Sequence, residues 1–201
     1  MGSRWMNDRK REYYYRKAKE EQYRSRAAYK LKQVNKRFGL IKQGDKVLDL
    51  GAAPGGWMQV LREIVGDNGF VLGVDLEEIK PFEYENIKSI QGDFTSEGVL
   101  EEIKKALPEV DVIISDASPS ISGVWTIDHL KSVELCERVL EIAEGTLKPK
   151  GNMLLKIFQG EETRRFFESV AKRFSRVKRT KPEASRGKSA EMYIVAKGKI
   201  A

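Results

Sequence analysis

Short apolar runs separated by amphipathic stretches set the tightest limit on how this chain folds. "KVLDLG" (46–51), "FVLGVDL" (70–76), "IKSIQGD" (87–93), "VDVIISD" (110–116) and "NMLLKIF" (152–158) read as strands, with helical patterns at about 56–65, 96–106, 127–146 and 161–174. Two more strands are expected near 175–181 and in "EMYIVAKG" (191–198), and a further helix starts at Ser25 with Ala28, Leu31, Val34 and Phe38 on one face. A parallel pair needs a crossover, and a helix is its usual form. The alternation therefore predicts an α/β, Rossmann-like fold: a seven-stranded, mostly parallel sheet with helices on both faces and its ligand at the carboxyl ends of the strands. Only a loop separates the last two strands, so one of them is expected to run antiparallel.

With 201 residues the chain is most simply one domain, large enough to bury a core without covalent staples. Cys136 is the single cysteine, which excludes a disulfide framework and a thiolate cluster for zinc, and its helical context marks it as a packing residue. No metal ligand set is expected. No segment approaches the roughly 18 apolar residues of a membrane span, and the amino terminus is too charged for a signal peptide. Met6 stands where myristoylation requires Ser or Thr. A cytoplasmic monomer is the expectation.

The charge is segregated. Residues 1–37 hold 13 Lys/Arg against 4 Asp/Glu and residues 172–188 hold 8 against 1, whereas the remainder carries 16 basic and 25 acidic groups. A charge run is ordinarily a solvated face. In "RKREYYYRKAKEEQYRSRAAYK", however, aromatic rings alternate with cations, the combination that suits phosphates and exposed bases, so a nucleic-acid surface is the better reading. Residues 1–24 lack a sustained apolar period and read as a mobile basic arm that orders on binding, ahead of a domain at 25–201.

The loop "DLGAAPGGW" (49–57) follows the first strand but has neither the Lys-Ser/Thr pair of a phosphate loop nor the G-x-G-x-x-G of a dinucleotide site. Four strands close on an aspartate, at Asp49, Asp75, Asp93 and Asp116. Any one could cap a turn; four at one rim repel each other unless a cation answers them. Asp75 lies 20 residues beyond Gly55, the spacing at which a carboxylate reaches a ribose diol. An anionic pyrophosphate would be poorly received there. A nucleoside carrying positive charge would be welcome, and S-adenosylmethionine has a sulfonium and an ammonium on adenosine.

"RSRAAYKL", "DLGAAPGGW", "GVDL", "QGDF", "SDASP", "LLKIFQG" and "KPEASRGKSAEMYIVA", in that order, resemble the FtsJ/RrmJ family of AdoMet-dependent RNA ribose 2′-O-methyltransferases from about Tyr23 to Ala196. The basic, tyrosine-rich arm is similar to that of archaeal members. The resemblance implies a class I methyltransferase fold and a catalytic set of Lys30, Asp116, Lys156 and Glu191. It also implies AdoMet contacts at Gly55, Trp57, Asp75, Asp93 and Asp116, and RNA as partner, with a uridine ribose of large-subunit rRNA as substrate and tRNA ribose as the alternative. "SDASPS" stands where the bacterial protein has "SDMAPN", a difference beside the target ribose that leaves the four residues intact.

Transfer from sulfonium to oxygen is an in-line displacement, so sulfur, methyl and oxygen must be aligned and the hydroxyl proton removed. Lys156, at the end of an apolar strand and near a second amine, is the candidate proton acceptor. A free lysine titrates near ~10.4 and would need tuning toward about 7–8, which burial and Lys30 favour and the carboxylates of Asp116 and Glu191 oppose. Lys156 could instead steer the hydroxyl oxygen while the proton leaves through water. Rival readings are weaker. A non-catalytic RNA-binding module would not be expected to keep all four residues, a nicotinamide dehydrogenase wants G-x-G-x-x-G, and a base methyltransferase wants a well-placed thiolate or an N/D-P-P-Y/F run. His129 has no visible partner and reads as a surface or helix residue.

Overall fold

The computed structural model describes residues 12–185 and 189–201. The first eleven residues of the basic arm, Met6 among them, and Arg186 and Lys188 of the second basic run lie outside the described residues.

The elements follow the alternating pattern. After helical residues 12–20 (α1) come α2 (Ala28–Phe38), β1 (Lys46–Leu50), α3 (Gly56–Val65), β2 (Phe70–Asp75), β3 (Ile87–Gln91), α4 (Glu97–Ala106) and β4 (Val110–Ser115). Then follow α5 (Trp125–Thr146), β5 (Leu147–Phe158), α6 (Thr163–Ala171), β6 (Phe174–Thr180) and β7 (Glu191–Lys199). One seven-stranded sheet has the order β3-β2-β1-β4-β5-β7-β6. β1 pairs in parallel with both β2 and β4, while β7 is antiparallel to both β5 and β6. The expected reversal is therefore β7, and the strand order turns around between β1 and β4, where such sheets place their ligand.

Period-two alternation sorts the core into two layers. Leu48, Leu50, Ile113 and Leu155 point to one face, where they pack with Ile103 of α4, Val139 and Leu140 of α5 and Phe166 of α6. Val47, Val112, Ile114 and Leu154 point to the other face, under Leu31 and Val34 of α2 and Trp57, Met58 and Leu61 of α3. Helix ends are set by chemistry visible in the sequence. Ser96 caps α4 by accepting from the Val99 amide, and Gly39 ends α2 in the left-handed conformation at φ 57°.

Residues 12–20 differ from expectation, being helical and docked on α2. Ala18 is buried, the Tyr14 and Tyr29 rings lie 5.3 Å apart, and Lys17 stands 5.1 Å over the Tyr29 ring. Aromatic and cation–π contacts hold this helix in place of an aliphatic stripe, and a search for apolar periodicity does not register them.

Phe166 is the largest side chain with which α6 enters the core, and it is 2% exposed. Phe166→Ala is expected to cost about 3–5 kcal/mol through lost burial and a residual cavity, read as a lowered urea midpoint at unchanged slope.

Candidate active site

The carboxyl ends of β1, β2 and β4 open into a cavity of about 810 Å³ lined by Gly51, Ala53, Asp75, Asp93, Phe94 and Asp116 together with Ser118 and one side of α5. Gly51 has φ +79°, and a Cβ there would lie 2.7 Å from the Ala117 Cα, so only glycine lets the first loop pass this close to the end of β4. The rim acids are fixed by backbone amides. Asp75 accepts from Ala53 at 2.8 Å and Glu77 at 2.9 Å, and Asp93 accepts from Thr95 at 2.8 Å. Their remaining lone pairs stay available to ligand hydroxyls and cations.

Asp49 departs from the expected rim position. It lies within β1, fully buried, and among the described residues neither carboxylate oxygen has a hydrogen-bond partner. Burial first, then repulsion from Asp116 and Asp75, pushes its carboxyl well above the usual range. Four acids do converge here, but three form the rim and one lies beneath it. That donor set fits S-adenosylmethionine: carboxylates for its cationic groups and ribose, and Phe94 and Leu76 as apolar wall.

Of the residues expected to hold the donor, Asp75, Asp93 and Asp116 line the cavity, and two others do not. The Trp57 indole is turned into the core at 4% exposure and donates to the Ala27 carbonyl at 2.7 Å, bracing α3 against the start of α2. Gly55 turns the loop at φ +99°, where a Cβ would meet Arg24 and Phe82 at 2.9 Å. The same Arg24 clamps the loop from outside. Its guanidinium donates to the carbonyls of Pro54, Lys80 and Pro81 and stacks 3.7 Å from the Phe82 centroid.

Lys30, Asp116, Lys156 and Glu191 come together from four different elements beside the cavity. Lys30 Nζ lies 3.7 Å from Asp116 Oδ2 and 3.6 Å from Glu191 Oε2, and Lys156 Nζ lies 3.3 Å from Asp116 Oδ1. Lys156 Nζ also donates to the Asp116 carbonyl and to Ser118 Oγ, each at 2.5 Å. Both ammonium groups are buried. A fifth member lies outside the four motif residues: Tyr193, fully buried, donates its hydroxyl to Asp116 Oδ1 at 2.6 Å. Desolvation, with the Asp116 charge beside it, pushes the Tyr193 phenol well above its ordinary value, so it stays a donor. Its position two residues beyond Glu191 on one strand, hence on the same face, was the available signal.

His129 is a correction. It is on α5 but buried, with both ring nitrogens used: Nε2 accepts from the Glu162 amide at 3.1 Å, which leaves Nδ1 to donate to the Phe158 carbonyl at 3.0 Å. Cys136 is the packing residue expected. Its buried thiol donates to the Lys156 carbonyl at 3.1 Å and is pushed up to about 12 by burial.

The sheet order and a carboxylate-walled cavity at the switch point define a Rossmann-fold methyltransferase. Residues 23–199 match the FtsJ-like methyltransferase family. The chain is 54% identical to ribosomal RNA large subunit methyltransferase E of Methanocaldococcus jannaschii, covering 96% of this chain and 81% of that protein. It is 55% identical to the protein of the same name from Methanothermobacter thermautotrophicus, over 98% and 94%. A ribosomal RNA methyltransferase structure from Plasmodium falciparum superposes with a TM-score of 0.79 at 30% identity, covering 89% of this chain and all of that one. Aeropyrum pernix fibrillarin with bound S-adenosyl-L-methionine shares the fold, with a TM-score of 0.57 at 22% identity over 85% and 73%. This chain belongs to the FtsJ-like methyltransferase family.

Asp49 makes the free protein's stability pH-dependent. Because its folded-state value is raised, the native state holds one more proton than the unfolded chain above about pH 4, and stability falls as pH rises toward that folded value. Asp49→Asn should remove a slope of up to about 1.4 kcal/mol per pH unit, checked by denaturant unfolding of both proteins between pH 5 and 7.

Proposed function

We propose that this chain transfers the methyl group of S-adenosylmethionine to a ribose 2′-hydroxyl of RNA, with a uridine of large-subunit ribosomal RNA as substrate. The observation that carries the reading is the convergence of two buried amines and two carboxylates beside the donor cavity. The names of relatives that exceed 50% identity over nearly the whole chain support the rRNA assignment, and the basic, tyrosine-rich segment before Lys30 supports an RNA partner.

In this reading the donor supplies an electrophilic methyl group. Asp75 would hold its ribose diol and Asp93 the adenine end, while Gly55 and Trp57, outside the cavity lining, act only by shaping and bracing the first loop. Lys156 Nζ directs its protons at the Asp116 carbonyl, Ser118 Oγ and Asp116 Oδ1, so it acts as an ammonium that steers the 2′-oxygen into line, and the hydroxyl proton leaves through water. Asp116 fixes both amines, and Glu191 holds Lys30. A single, buried, unpaired cysteine is in keeping with action in a reducing, cytoplasmic setting.

Incubation with labelled S-adenosylmethionine and separate pools of large ribosomal subunits, naked rRNA and tRNA should label the ribosomal pools at one ribose. Label on a base atom, or on tRNA alone, overturns the assignment. Lys156→Ala should lower transfer by about 10²–10⁴-fold while calorimetry finds donor affinity within a few-fold of wild type. Undiminished turnover removes Lys156 from the chemistry.

A further inference from the structure

An exposed apolar loop flanks the site on the side of Lys156 and Glu191. Between Ser118, which accepts from Lys156, and the first turns of α5, Ile121, Val124, Trp125, Ile127 and Leu130 are each between 44% and 65% exposed. "SISGVWTI" (120–127) contains no charged residue. Exposed apolar clusters of this kind mark contact surfaces.

The loop is held in shape. The Asp128 carboxylate is buried and accepts from the Ser122 amide and hydroxyl, both at 2.7 Å, and from the Gly123 amide at 3.2 Å. His129, through its two bonds, ties the start of α5 to the end of β5 and the turn before α6. The Trp125 indole is backed by near-parallel rings, Phe158 at 6.1 Å and 23° and His129 at 6.5 Å and 19°, yet remains 49% exposed. Phe158 is two residues beyond Lys156 on β5 and stands opposite Glu191 in the β5–β7 register. Trp125 is thus one ring away from the strand pair that carries half of the four-residue cluster.

A rigid, half-exposed aromatic beside the point where a ribose is to be presented is the way proteins hold unstacked bases of single-stranded RNA. We propose that Trp125 is a positioning residue that stacks an unpaired base of the RNA strand whose ribose lies at Lys156, with Ile121 and Val124 as its apolar border. The proposal rests on the RNA reading above. An RNA base is favoured over a protein partner by continuity: the same loop lines the donor cavity with Ser118, Pro119 and Ser120 and reaches Trp125 five residues later.

The test is steady-state kinetics on unmodified large-subunit rRNA with Trp125→Ala, Trp125→Leu and Trp125→Phe, using donor affinity and melting temperature to establish folding. Loss of one stacked base predicts a KM for RNA raised roughly 5- to 100-fold in the Ala and Leu variants, with kcat at saturating RNA nearly kept and Phe restoring most of the loss. Independently, rRNA carrying 5-iodouridine should photocrosslink to Trp125 in the wild-type protein, mapped by mass spectrometry. Equal KM for Leu and Phe points to a merely apolar contact and overturns stacking, as does wild-type KM in all three or a crosslink that bypasses Trp125. Absence of transfer to any RNA by the wild-type protein would instead sink the reading beneath it.

Discussion

The Asp116 carboxylate is the hinge of this structure. One oxygen receives the Tyr193 hydroxyl at 2.6 Å and faces Lys156 at 3.3 Å, while the other faces Lys30 at 3.7 Å. Two amines and two carboxylates balance in charge, which is the condition under which ions tolerate this degree of burial; removing one partner would strand the others in a poorly solvating interior. The cluster does not exist until α2, β4, β5 and β7 are all in place. Sheet pairing and helix docking therefore assemble the chemistry as a by-product of forming the core.

The sheet topology explains why those elements meet. β1 to β3 are laid down to one side of the switch point and β4 onward to the other, so the β1 and β4 loops part and leave a cleft between them. The cleft's acids belong to strand ends, where backbone amides without ladder partners can hold carboxylates such as Asp75 and Asp93 in fixed orientation. Glycine at residue 51 lets the two loops nearly touch at the base of the cleft.

Much of this was legible in the sequence, because apolar period and strand-end acids are local signals. The strands, a reversal at one of the last two and the four-residue cluster follow from them or from motif resemblance; that the reversed strand is β7 came from the pairing itself. What was hidden depends on long-range contact. Asp49 reads like its three neighbours in sequence, and only the packing of α3 over β1 takes it out of reach of solvent. His129 looked solitary because its partners are the backbone of Phe158 and Glu162, some thirty residues away. By number Trp57 belongs to the first loop and Arg24 to the basic arm, yet one is core and the other a clamp on three carbonyls. α1 eluded periodicity because tyrosine rings and lysine stems do the work of aliphatic side chains there.

The reversal of β7 has a further geometric result. Every other strand delivers its last residues to the catalytic rim, whereas β7 delivers its first, Glu191, and then descends the full height of the sheet. At the far end Lys199 Nζ donates to the carbonyls of Ala143, Glu144 and Leu147, where α5 hands over to β5. Ala201 consequently emerges at the floor of the molecule. An affinity tag or fluorescent reporter fused there departs on the side opposite the cleft, leaving the mouth clear for a bulky polymer.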